Sequence, residues 1–283
     1  MKRNAIARII IYSFIILILV SILLIGLGIG MFTYRVDNHT EAYALGSGTI
    51  PAYEVNDIEI NWAAGSITIE TADTDSISFS ETGGKDSEPM VYRQQGNKLI
   101  IEYQVPKVVF GLSSSSSKDL VITNPQDRQG GKLTVNAASA ELTVNGLTAY
   151  DISVNTASGD CTFTDCSLSE LELNSASGKV NYIGTLYRLD CDTASGDITV
   201  VFDNIPRSIE FDGVSADLEL TLPADAGFIV EMDALSGGFT SDFETSQRNG
   251  QYICGDGSCK IDIDGMSGNV TIHKATRDIP NTR

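Results

Sequence analysis

The chain has 283 residues, 37 of them acidic and 19 basic, for a formal charge of −18 with 42% hydrophobic residues. A surface this acidic excludes nucleic acid and anionic lipid as natural partners and suits divalent cations, basic peptides or plain solubility. The imbalance is uneven: residues 1–36 hold Lys2, Arg3, Arg8 and Arg35 and no acid, leaving 15 cations against 37 acids beyond them.

Residues 9–32 carry no charge over 24 positions. At about 1.5 Å per residue a helix of that length spans the roughly 30 Å hydrocarbon layer. Lys2, Arg3 and Arg8 on its N-terminal side place residues 1–8 in the cytoplasm and the remainder outside a bacterial cell membrane. A cleaved signal peptide is the rival reading. The run is longer than a usual signal core and no small-residue cleavage site follows. Residues 33–55 are mixed and polar and read as a short stalk.

From residue 56 to 272 one motif recurs. Asn155-Thr-Ala-Ser-Gly-Asp, Asn174-Ser-Ala-Ser-Gly-Lys and Asp192-Thr-Ala-Ser-Gly-Asp follow Asn136-Ala-Ala-Ser-Ala-Glu, and their serines, Ser139, Ser158, Ser177 and Ser195, are 19, 19 and 18 residues apart. Ser215, Ser236 and Ser267 continue the series at 20, 21 and 31 residues. With the serine as zero, offsets −6, −4, +3 and +5 are apolar in every unit except at Ser241, and polar residues alternate between them. This is the pattern of a half-buried strand on each side of a tight corner. One such unit cannot bury its apolar side alone, so the units must stack. The expectation is an all-β, single-stranded β-solenoid of about 19–21 residues per repeat.

The corner itself, Ser158-Gly159, Ser177-Gly178, Ser195-Gly196, Ser236-Gly237 and Ser267-Gly268, is read as turn-forming rather than catalytic, since glycine supplies positive φ and serine hydroxyls satisfy turn backbone. Ala140 and Ala216 replace glycine in two units, so smallness is the expected requirement. A weaker unit around Trp62-Ala-Ala-Gly65 starts the series near Val55, with Trp62 capping the first coil rather than binding a sugar. Between residues 70 and 132 the period is irregular. Thr82 to Ser87 reads as a turn, Lys98 to Tyr103 as a strand, and Gly111 to Lys118, with five serines in a row, as a loop. Leu222-Pro-Ala-Asp-Ala-Gly-Phe228 is a proline turn, and residues 273–283 a charged tail.

Five cysteines are present. Cys161 and Cys191 fall on core offsets. Cys254 and Cys259 bracket Gly-Asp-Gly-Ser and are candidates for a disulfide across a hairpin. Zinc would need more ligands than His39 and His273 supply. No nucleophile elbow, zincin, phosphate-loop or dinucleotide motif occurs, and no catalytic, cofactor or metal residue is assigned. Asp160 and Asp197, at offset +2 beside Glu141, Lys179, Asp217 and Asn269, would form an outward ladder. That ladder could hold Ca²⁺ or serve a β-helical polysaccharide-cleaving enzyme, but Lys179 interrupts it.

The Ala-Ser-Gly-Asp corners, with Leu222-Pro-Ala-Asp-Ala-Gly-Phe228 and Ser267-Gly-Asn-Val-Thr-Ile272, resemble a bacterial β-strand-repeat adhesin-like family, formally a domain of unknown function. That resemblance implies a β-solenoid ectodomain, often tethered by an N-terminal helix, and no established enzymatic activity. Some of its members are linked to envelope stress. The expected role is a non-enzymatic, membrane-anchored binding scaffold of the cell envelope. Its partner would be an envelope protein, a wall polymer or a cationic peptide, not nucleic acid. The alternatives are the carbohydrate-active enzyme and a sensory ectodomain needing a membrane partner, since only eight residues precede the apolar run.

Overall fold

The computed structural model describes residues 43–84, 88–104, 117–128 and 130–276. The expected transmembrane helix (9–32), the cytoplasmic N-terminus, the first half of the stalk, residues 111–116 of the serine loop and the tail from 277 lie outside them. Among the described residues no helix is long and apolar enough to cross a membrane.

The strands begin with β1 (Ala44–Leu45), β2 (Gly48–Pro51), β3 (Asp57–Ala72), β4 (Ser76–Gly83), β5 (Val91–Gln95), β6 (Lys98–Glu102) and β7 (Lys118–Pro125). The centre holds β8 (Gly130–Asn145), β9 (Thr148–Thr156), β10 (Cys161–Ser175), β11 (Val180–Ser195), β12 (Ile198–Phe202), β13 (Ser208–Ser215) and β14 (Leu218–Leu222). The chain ends with β15 (Phe228–Ala234), β16 (Phe239–Ser241), β17 (Ser246–Arg248), β18 (Gln251–Cys254), β19 (Cys259–Ser267) and β20 (Val270–Lys274). All twenty join one sheet. The second half of the expected stalk is therefore structured, and His273 and Lys274 belong to the last strand rather than to a tail.

The apolar offsets become columns. Ile58, Leu133, Ile152, Leu171, Leu189, Ile209, Ile261 and Val230 register in succession by parallel pairing. On the other side of the corner Ile67, Leu142, Cys161, Val180, Ile198, Leu218, Val270 and Phe239 do the same. The first column is buried throughout, and only Phe239 of the second is partly exposed. Long strands such as β10 run from one coil into the next through a bulge between Thr164 and Cys166, where Asp165 takes φ 53°.

Chain order and spatial order part company at both ends. The Ser267 coil, last in sequence, inserts between the Ser215 coil and the Ser236 coil, because β19 pairs with β13 on one side and β15 on the other. At the other end β3 stacks directly on β8, while the later β6 and β7 form the outermost parallel coil against β3. The sequential stacking expected from the repeat is thus corrected. The physical reason is edge protection, since an outermost parallel strand presents unpaired backbone groups. Here β4 and β5 close one end and β18 the other, all antiparallel. To lay these closing strands the chain must finish its outer coil before returning to the inner one.

Trp62 is fully buried inside the stack, its Nε1 donating to the Lys118 carbonyl at 3.0 Å and its ring edge-on to Tyr103 at 5.1 Å. It is a core residue one coil in from the end. Lys118 is not in a loop: it opens β7 and is buried, with its ammonium 3.2 Å from Glu81 and over the Tyr103 ring.

Candidate binding face

The corners hold the stack in register. Four of the corner serine hydroxyls donate to the carbonyl that precedes the corner residue of the neighbouring coil: Ser139 to Ala63, Ser177 to Ala157, Ser195 to Ala176 and Ser267 to Val214, at 3.3–3.5 Å. The local turn is closed by the residue two positions earlier, Thr156, Ser175 or Thr193, whose hydroxyl donates to the serine carbonyl. Glycine follows at positive φ. A Cβ on Gly178 would lie 2.3 Å from the Gly159 carbonyl oxygen, and one on Gly268 1.9 Å from that of Ala216. Smallness alone is therefore not the requirement. Ala140 and Ala216 are tolerated because their φ is not positive, so their coils turn by a different backbone path. The serines serve as ties between coils.

Some of the offset +2 acids are ties too. Asp160 Oδ1 accepts from the Lys179 backbone N–H at 2.8 Å, and Asp217 Oδ1 from that of Asn269 at 2.6 Å. Lys179, Asp197, Asp217 and Glu219 line a shallow polar depression of about 260 Å³. Among the described residues no three acids, histidines or cysteines converge closely enough to hold a metal ion.

The expected hairpin between Cys254 and Cys259 is not formed. Both pair with Phe228, one across β18 and the other across β19, so β15 separates them. Two strand spacings put their Cα atoms roughly 10 Å apart, beyond disulfide reach. Both thiols are free and buried, as are Cys161, Cys166 and Cys191. Burial pushes the Cys161 thiol up to about 12, so it behaves as a small core group.

The chemistry that the sequence reading passed over lies at offsets −3 and −5, on the outer side of the same strands. At −3 the first four coils place Asn61, Asn136, Asn155 and Asn174 in line. Asn136 donates its amide to Asn61, Asn155 to Asn136, and Asn174 to Asn155, at 2.8–3.1 Å. The next four coils continue the line with Asp192, Asp212, Asp264 and Asp233. At −5 the parallel line runs Glu172, Asp190, Glu210, Asp262 and Glu231. Neighbours in a line are about 4.8 Å apart.

These nine carboxylates have no salt bridge among the described residues; the nearby Arg188 is paired with Glu170 instead. Asn174 donates to Glu172 and Gln251 to Glu231. Burial first, then Asp212 and Asp190, push Asp192 up to about 8. Burial and the charge of Asp264 push Asp212 up to about 6. Asp190, Asp262 and Asp264 are raised for the same two reasons. The signal for both lines is in the chain, as polar residues recurring at offsets −3 and −5 of the corner serines rather than at +2.

Two other acid sites differ in kind. Glu102 on β6 is buried and pushed up to about 7, mainly by burial. His273 sits between Asp242 (3.1 Å) and Glu219 (2.9 Å), hydrogen bonds that raise its pKa and join three adjacent coils.

The Toastrack DUF4097 family profile matches residues 55–273, the whole coil stack. The chain belongs to the Toastrack DUF4097 family. This agrees with the β-repeat family of unknown function expected from the corners. No curated protein matches significantly. Solved structures similar to this Toastrack chain include a "putative cell adhesion protein" from Clostridium sporogenes ATCC 15579, at 12% identity and TM-score 0.38, covering 83% of this chain and 100% of that one. A "putative adhesin" from Bacteroides fragilis NCTC 9343 shares 13% identity at TM-score 0.40, covering 83% and 99%. A "Putative lipid binding protein" from Parabacteroides distasonis ATCC 8503 shares 14% at TM-score 0.30, covering 81% and 96%.

Proposed function

We propose that this Toastrack protein is a non-enzymatic binding scaffold of the bacterial cell envelope, a β-solenoid tethered by residues 9–32 and displayed outside the membrane. The reading rests on where polar groups go. Four corner hydroxyls and two offset +2 acids, Asp160 and Asp217, tie coil to coil, while the −3 and −5 carboxylates of the C-terminal coils lie on the outer side with no counter-charge among the described residues. Such a face recruits cations or basic segments of other envelope components by long-range attraction. A sensing role in envelope stress would follow if a membrane partner read its occupancy.

Two measurements test this. Protease added to intact cells should degrade the coil stack while leaving the first eight residues protected, and the reverse topology would overturn the reading. Capture from envelope extracts by the full chain in non-ionic detergent should recover basic components that are released as salt rises. Retention of nothing, at low or physiological salt, would count against a scaffold.

A further inference from the structure

Resting on the reading of this face as a binding surface, we propose that the aspartate line Asp192–Asp212–Asp264–Asp233, flanked by the −5 line, is a site for a linear oligoamine.

Three observations carry it. The first is Asp192 itself: only 9% exposed, with no hydrogen-bond or ion-pair partner among the described residues, it lies on this face between Asn174 and Asp212. In the asparagine ladder each side-chain carbonyl accepts from the amide of the next coil. The ladder ends at Asn174, whose acceptor meets an aspartate that has no N–H to give. An ammonium group placed there supplies donors to both.

The second observation is spacing. Four aspartates in four consecutive coils cover about 14 Å at about 4.8 Å per step. Amines joined by three or four methylenes, as in spermine, are four or five bonds apart, and bonds near 1.5 Å in zigzag place them about 5–6 Å apart. A linear oligoamine laid along the stack therefore sets successive ammonium groups against successive coils.

The third is the absence of convergence. The carboxylates lie in rows, and no three of the described acids, histidines or cysteines gather round one point. Rows match a line of charges better than a single ion. The groups facing Asp192 are Asp190, Asp212, Glu172 and Glu210, all acids. Arg188, one offset further out, is paired with Glu170. Binding at neutral pH accordingly releases protons from the line, because ammonium groups favour its ionised form.

The experiment is calorimetry on the full chain in non-ionic detergent, with spermine as ligand and putrescine, Ca²⁺ and a lysine hexapeptide as comparators. Spermine should saturate with affinity at least about tenfold above putrescine and Ca²⁺, weaken with salt, and show buffer-dependent heats at pH 7 that report proton release. The Asp212→Asn/Asp264→Asn pair should weaken spermine at least about fivefold. That variant sets two asparagines side by side in adjacent coils, a pairing the protein already uses between Asn136 and Asn155, and an unchanged or raised Tm confirms that it folds.

Spermine binding no tighter than Ca²⁺, or unaltered in the double variant, overturns the oligoamine site. So does a hexapeptide that binds where spermine does not, which would assign the face to basic polypeptides. Envelope capture that survives such a failure keeps the scaffold reading. Loss of both removes both.

Discussion

The two halves of the −3 line differ by little more than an amide for a carboxylate, in a common coil geometry. Asn136 and Asn155 each donate to one neighbour and accept from the next, with Asn61 and Asn174 as the end members, so this half closes on itself everywhere but at the Asn174 acceptor. Asp192, Asp212, Asp264 and Asp233 can only accept while ionised, so theirs repels itself and stays open to a donor from outside. Stacking identical residues on a parallel β scaffold is thus either a lock or a site, according to whether the side chain carries both hydrogen-bonding roles.

The corners common to both halves give the largest expected effects. Gly178→Ala in the asparagine half and Gly268→Ala in the aspartate half should each cost about 3 kcal/mol or more, from positive φ and collision with a neighbouring carbonyl. Denaturant titration should show similar losses in the two halves. Ala140→Gly, where φ is not positive, should cost about 1 kcal/mol or less. If Gly178→Ala is as mild as Ala140→Gly, the account of the corner is wrong.

Next comes the substitution that converts one half into the other. Asp192→Asn should stabilise by roughly 1–3 kcal/mol at pH 8.5, because it removes a buried like charge and gives Asn174 a donor. The sign follows from the raised pKa of Asp192. Its contribution is fully present below the ordinary carboxylate value, and is lost as pH rises through about 8. Thermal melts of the wild type should therefore fall between pH 4 and 8, and those of Asp192→Asn should fall less. Equal slopes would sink the explanation.

The converse change, Asn155→Leu, should cost about 1–2 kcal/mol by stranding the Asn136 acceptor and the Asn174 donor, with no dependence on pH over that window. The smallest effect belongs to His273→Gln, which should move Tm by no more than about 2 °C since the clasp is exposed. With the His273 pKa raised, the clasp is complete below the ordinary histidine value and lost as pH rises through the folded one. A larger difference from wild type at pH 9 than at pH 6 would refute it.

Much of this was legible beforehand from particular residues. The offsets of Leu133, Val135, Leu142 and Val144 recur because each coil presents the same apolar sides to the same core, so every column registered as read. Smallness at the corner is too permissive a rule, since Ala140 and Ala216 share the glycine position but not its φ. Five preceding serines put Lys118 in a loop by composition, but burial beside Glu81 and Tyr103 outweighs composition. The outer polar lines are equally legible, since Asn136, Asn155, Asn174, Asp192 and Asp212 stand 18 to 20 residues apart at one offset from the corner serines, but the apolar offsets and offset +2 alone do not reveal them.

That the part beyond the apolar run is β, that its unit is a corner between two short apolar runs, and that these must stack all follow from the order of residues, since periodicity and burial are local and repeat. The order of the coils at either end and the separation of Cys254 from Cys259 by β15 appear only in the folded chain. Those outcomes depend on which strand covers an exposed edge. That contest is between segments dozens of residues apart and leaves no periodic trace in the chain.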